Sequence, residues 1–212
     1  MNIKAQGLLN AAKWIEETYG QDALRDVIRA CSEEVRDRYT SAIAINWHPM
    51  GEFVEFLAVA DRLVGKNDGR IAELVGEAGA RSNLKGTLVR LVFYVGRPEF
   101  LLQRVAGLWR QFNDLGSMHL LAFEDQRVAI EVRGVDTPAW LFCCSITGWA
   151  REIVRSVGGE HPIAKHTECR ARGASRCVWE VRWAGVKATE LKKSPATPAT
   201  PTSTSREPPK KA

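Results

Sequence analysis

Apolar positions three and four residues apart open the chain. Leu8, Leu9, Ala12, Ile15 and Tyr19 predict a first amphipathic helix, ended by Gly20. Leu24, Val27, Ile28, Cys31 and Val35 predict a second, running unbroken from about Asp22 to Arg38. The stretch Ala42–Trp47 reads as a strand or a loop, with His48-Pro49 as punctuation. Glu52–Val64 and Ile71–Ala80 read as two further helices, joined by the polar turn Gly65-Lys66-Asn67-Asp68-Gly69. Thr87–Tyr94 is apolar and fits either type, and Pro98 opens a helix to about Phe112.

The period changes at Gly116. Met118–Phe123 and Arg127–Val132 alternate as two strands around Glu124-Asp125-Gln126. Pro138–Val157 returns to helical spacing and stops at Gly158-Gly159. His161–Cys169 and Arg176–Trp183 form a second strand pair around Arg172-Gly173-Ala174. In the last strand Trp179, Val181 and Trp183 fall on one face, and Val178, Glu180 and Arg182 on the other. Helices, hairpin, helix, hairpin is the order of an α+β domain: N-terminal helices packed with a four-stranded antiparallel sheet, not a repeated βαβ unit.

Composition changes the picture at one end. The 212 residues carry a formal charge of +5. Residues 191–212 contain Lys192, Lys193, Arg206, Lys210 and Lys211 against Glu207, so four of those five charges belong to the tail. The rest is nearly neutral, which removes the hint of a nucleic-acid partner that a basic chain gives. Arg25, Arg29, Arg36 and Arg38 are interleaved with acidic residues, as on a solvated face. Five of the nine prolines fall at or after Pro195, among Thr and Ser. The expectation is one domain over residues 1–187 and a disordered Pro/Thr/Ser/Lys-rich tail over 188–212. No apolar run reaches membrane-spanning length, and Met1-Asn2-Ile3-Lys4 does not open a signal peptide, so a cytoplasmic location is expected.

Four of the five cysteines lie between Cys143 and Cys177. An odd total at modest density argues against a secreted disulfide framework. Cys143 or Cys144 lies in the helix after the first hairpin, and His166, Cys169 and Cys177 lie in the second hairpin. An antiparallel pair brings Cys169 and Cys177 close, and one helix cysteine would complete a nitrogen–sulfur set of the kind zinc takes. Spacing alone leaves three readings open: buried thiols that act as small hydrophobes, a closed structural metal site, or a disulfide.

The run Cys143-Cys144-Ser145-Ile146-Thr147-Gly148-Trp149, then Gly158-Gly159, then His166-Thr167-Glu168-Cys169-Arg170-Ala171-Arg172-Gly173-Ala174-Ser175-Arg176-Cys177, resembles the C-terminal signature of the 4-vinyl reductase domain family. That family is similar in fold to the Bet-type subunits of the TRAPP tethering complex and includes sensory domains of aromatic-responsive activators. The match covers roughly Pro138 to Trp183, with a weaker resemblance to uncharacterised myxobacterial paralogues over residues 50–137. The resemblance implies zinc held by Cys143, Cys169 and Cys177, with His166 at the place of the family's acidic ligand. It also implies an apolar ligand pocket bordered by Phe123, Trp140, Phe142 and Trp149. By residue type alone, each of these aromatics reads first as core and only second as a ligand contact.

No other chemistry assembles. Glu52 and Asp61 are nine residues apart, on roughly opposite sides of a helix, and make no catalytic pair. The turn Gly65–Gly69 is too short for a phosphate loop, and no Gly-x-Ser-x-Gly elbow appears. His48 beside Met50, and His119 in a strand, raise haem only weakly without a Cys-x-x-Cys-His motif. The expectation is a noncatalytic sensory or ligand-binding domain for a small apolar or aromatic molecule, stabilised by structural zinc, and signalling through a homodimer or protein partner. The alternative is a regulatory or scaffolding interaction module with no small ligand. Neither requires nucleic acid or a transmembrane segment.

Overall fold

The computed structural model describes residues 1–84, 107, 109–135, 139–156 and 158–185. The expected tail over 188–212, the apolar stretch Thr87–Tyr94 and most of the helix opened by Pro98 lie outside them. Helices α1 (Gln6–Tyr19), α2 (Gln21–Ala30), α3 (Glu33–Ser41), α4 (Met50–Val64) and α5 (Arg70–Leu84) precede the main sheet. Strands β1 (Asn2–Lys4) and β2 (Trp47–Pro49) pair antiparallel beside them, with Ile3 opposite His48. The main sheet holds β3 (Ser117–Glu124), β4 (Arg127–Arg133), β5 (Ile163–Glu168) and β6 (Cys177–Arg182), in the order β3-β4-β6-β5 and antiparallel throughout. Helix α6 (Trp140–Ser156) connects β4 to β5. The α+β architecture with a four-stranded antiparallel sheet is therefore present.

The expected helix from Asp22 to Arg38 is two helices. Cys31 is extended, and Ser32 caps α3 by accepting from the Val35 amide. Both the Ser32 amide and its hydroxyl donate to the Glu55 carboxylate on α4. The break is thus held by a residue 23 positions away, which helical periodicity cannot register. The N-terminal strand was not expected either. It is three residues long, and its place is fixed by tertiary contacts: the Asn2 amide and side-chain nitrogen both donate to Asp114 at 2.7 Å.

Asp61 is buried and accepts from the Gly69 amide at 2.6 Å and the Ile71 amide at 3.2 Å. It closes the turn into α5 by satisfying amides that have no partner within the helix. Glu52 pairs with Arg38 at 2.9 Å. Neither carboxylate is free for acid–base work.

Helix α6 lies between the sheet and α5. Its crossing with α5 is backbone to backbone. A Cβ on Gly148 would stand 1.8 Å from the Glu73 carbonyl oxygen, and one on Gly76 would stand 1.9 Å from that of Ser145. Arg151 spans the same crossing, reaching Glu77 at 2.7 Å and Glu73 at 2.9 Å. Two glycines and a half-buried ion-pair network thus fix how closely the helical layer approaches α6.

Candidate functional site

Helix α6 has two working faces. Phe142, Ser145, Ile146 and Trp149 recur at the spacing of one helical face and border a cavity shared with α1, α4 and α5. Cys143 and Thr147 turn toward the sheet. The Thr147 hydroxyl donates to the Cys143 carbonyl at 3.0 Å, and the Trp179 indole of β6 donates to the Thr147 oxygen, also at 3.0 Å.

The Phe142 face lines this half-open cavity of about 130 Å³. Ile3 of β1, Gly7 and Asn10 of α1, Phe53 of α4, Val75, Gly76 and Gly79 of α5, Trp109, and Met118 of β3 complete most of its wall. The lining is apolar and aromatic, with Trp109 and Phe142 meeting edge to face at 6.2 Å between ring centres. Its few polar groups are largely used within the protein. The Ser145 hydroxyl donates to the Phe142 carbonyl, the Asn113 amide to the Trp109 carbonyl, and Asn10 accepts from Gln6. Such a wall suits a small apolar guest.

Of the four aromatics expected to border a pocket, Phe142 and Trp149 line this cavity. Phe123 and Trp140 do not. Phe123 packs on Trp183, and Trp140 lies against Gly69 with the Arg172 guanidinium over its ring. The difference in placement has a geometric cause. Trp140 is only two residues before Phe142, which places it on a different side of the helix, and Phe123 is at the opposite end of β3 from Met118, packed on Trp183. Sequence reasoning missed Phe53, Trp109 and Met118, which reach the cavity from three other elements and carry no local signal.

On the sheet side Cys143, His166, Cys169 and Cys177 come together. One ligand atom from each lies within 4.8 Å of the others. All five cysteines of the chain are free thiols. Burial, with the neighbouring thiols of Cys177 and Cys169, pushes the Cys143 thiol well above its ordinary range. The His166 ring stacks flat on Trp179 with ring centres 4.1 Å apart, and its buried Nε2 has no hydrogen-bond partner. Burial, then the Arg172 charge, lowers His166 to about 4. Cys144 is elsewhere, its sulfur against the Gly69 turn and its thiol raised to about 12, chiefly by burial. The hairpin arginines are engaged locally, Arg176 pairing with Glu168 at 2.7 Å.

No protein-family model matches the chain, and no curated protein matches it in sequence. Solved structures do match in fold. An Fe(II) unliganded H-NOX protein from K. algicida superposes with a TM-score of 0.63 at 9% identity, covering 86% of this chain and 97% of that one. An H-NOX protein from S. oneidensis in the Fe(II)NO state gives 0.60 at 14% identity, covering 86% and 99%. A structure from a study of heme distortion in the H-NOX family gives 0.60 at 16% identity, covering 90% and 100%.

The chain therefore has the H-NOX fold, and two expectations are corrected. The 4-vinyl reductase and TRAPP-like assignment is overturned, because the solved structures that match nearly the whole chain are H-NOX domains. The motif behind it describes a helix and a glycine-turn hairpin. That is a local unit, and it does not specify how the N-terminal helices pack. Zinc as the cofactor is overturned as well. Structures of this fold are described by heme and Fe(II), and three thiols near an imidazole are not evidence of zinc. Among the described residues no helix is long and apolar enough to cross a membrane.

Proposed function

We propose that this chain is a noncatalytic sensory domain that binds a small apolar or aromatic molecule in the cavity beside α6. The observation that carries the reading is the cavity wall, in which Phe142, Trp149, Trp109 and Phe53 surround a space with few free polar atoms. The fold supports the sensory part, since H-NOX proteins of this architecture are described with bound gas, as in the Fe(II)NO state. Haem, which those descriptions name, is not part of the reading. Among the described residues no histidine, cysteine or tyrosine lines the cavity.

Helix α6 is the natural output element. Its cavity face meets the ligand, its glycine contacts meet α5, and its other face meets the sheet. Displacement of Phe142 or Trp149 by a guest is thereby felt on both sides of the helix.

Cys143, His166, Cys169 and Cys177 belong to the proposal as a metal-ligating set with no ion assigned. The convergence of their ligand atoms and the unpartnered His166 Nε2 support it.

The test is thermal unfolding across a panel of neutral one-ring compounds, with native and Gly79→Leu proteins. Gly79 lines the cavity, and a side chain there has open space before it. The expected result is a saturable upward shift for the native protein that Gly79→Leu abolishes while keeping its circular dichroism. No shift with any compound, or an equal shift in the filled variant, would refute the reading.

A further inference from the structure

We infer that this chain folds as an H-NOX domain but does not hold haem, its cavity being sized for one uncharged ring. The second half rests on the ligand reading above, whereas the exclusion of haem stands on separate observations.

The first is the supply of iron ligands. Haem iron in proteins is held by histidine, cysteine thiolate, tyrosine, or methionine together with histidine. The chain has four histidines, and all lie among the described residues. None lines the cavity. His48 is in β2, opposite Ile3, and the His119 ring is bonded to the Ser117 hydroxyl at 2.7 Å. His161 precedes β5, and His166 is stacked on Trp179. None of the five cysteines lines it either. Met118 does, without a histidine to accompany it. Residues 85–106 contain neither histidine nor cysteine, and Tyr94 is their one tyrosine.

The second is size. A cavity of about 130 Å³ is slightly smaller than the engineered apolar cavity of about 150 Å³ that accepts benzene. It matches one six-membered ring. A tetrapyrrole has four five-membered rings around the metal.

The third is charge. Haem brings two propionates, and burying carboxylates without cationic or hydrogen-bonding partners is strongly unfavourable. Lys4 is the one cation among the described lining residues. Its ammonium is already committed to the Ile45 carbonyl and the Trp47 ring, 3.8 Å from the ring centre.

The experiment is titration of the purified full chain with hemin, read by absorbance and by thermal unfolding, on native, His48→Ala, His119→Ala and Tyr94→Phe proteins. The expected spectrum is broad and does not saturate, the midpoint does not move, and all four proteins behave alike. Protein expressed with iron and δ-aminolevulinate is expected to be colourless. A saturable one-to-one complex with a sharp Soret band would overturn the inference, and its loss in one variant would identify the iron ligand. The one-ring thermal panel reads the other half independently, so haem binding and failure of the aromatic reading give different results.

Discussion

Gly148→Ala tests the feature that sets the distance between α5 and α6. The added methyl would meet the Glu73 carbonyl oxygen at 1.8 Å, where ordinary contact begins near 3.4 Å. Roughly 1.5 Å of separation has to be found, because dispersion contacts turn repulsive inside their optimum. The obstacle is backbone, so no side-chain rotation relieves it. Overpacking costs typically about 1–3 kcal/mol, and the better helix propensity of alanine returns up to about 1. A rigid backbone contact, tied further by the Arg151 pairs to Glu73 and Glu77, belongs at the upper end. The expected net loss is about 2 kcal/mol, or about 4–8 °C in melting midpoint for a chain of this size. Gly76→Ala should behave alike, since its methyl would meet the Ser145 carbonyl oxygen at 1.9 Å. Gly79→Ala is the control on the same helix, with nothing within 4 Å, and should gain up to about 1 kcal/mol. Thermal and urea unfolding of the three variants reads the ordering directly. If Gly148→Ala is as stable as Gly79→Ala, the close crossing is not a feature of the folded protein. Gly76 and Ser145 also border the cavity, so forcing the crossing apart should weaken ligand binding along with stability.

Trp149→Ala should reduce affinity for an aromatic ligand by roughly 2- to 10-fold, the worth of one aromatic contact, while Trp140→Ala leaves it unchanged in the same fluorescence titration. Elemental analysis of protein purified without added metal should find an ion retained by Cys144→Ser and lost from Cys143→Ser, because only Cys143 faces His166, Cys169 and Cys177. Equal metal content in the two variants would dismiss the cluster as a ligand set. His48 is held below its ordinary range by burial and the nearby Arg38 charge, so the unfolded chain binds the proton more readily. Its contribution to stability is complete above about pH 6.5 and declines as pH falls below that value. Melting curves of native and His48→Gln proteins between pH 7.5 and 5.5 should therefore differ in slope, the native protein losing more on acidification.

Local order was legible in the sequence. The helical period gave α1, α4, α5 and α6 to within a few residues, and two-residue alternation gave both hairpins. Those patterns report which side of an element is apolar, and burial follows them in part: Trp179, Val181 and Trp183 are buried and Arg182 is exposed, but Val178 is buried as well and β4 is buried on both faces from Val128 to Val132. The convergence of Cys143 with His166, Cys169 and Cys177 was also legible, because a hairpin and the helix before it form a short-range unit.

Tertiary structure decided the rest. Glu55 breaks the second helix at Ser32 from another element, and Asp114 anchors a three-residue strand at the far end of the described chain. The sorting of aromatics into cavity wall and core depended on helix rotation, so Phe142 and Trp149 face the space while Trp140 rests on the Gly69 turn. Amphipathic periodicity determines that a face is buried. What it is buried against is set by how distant elements pack, and that packing created the cavity, chose its lining and fixed the family of folds to which the chain is similar.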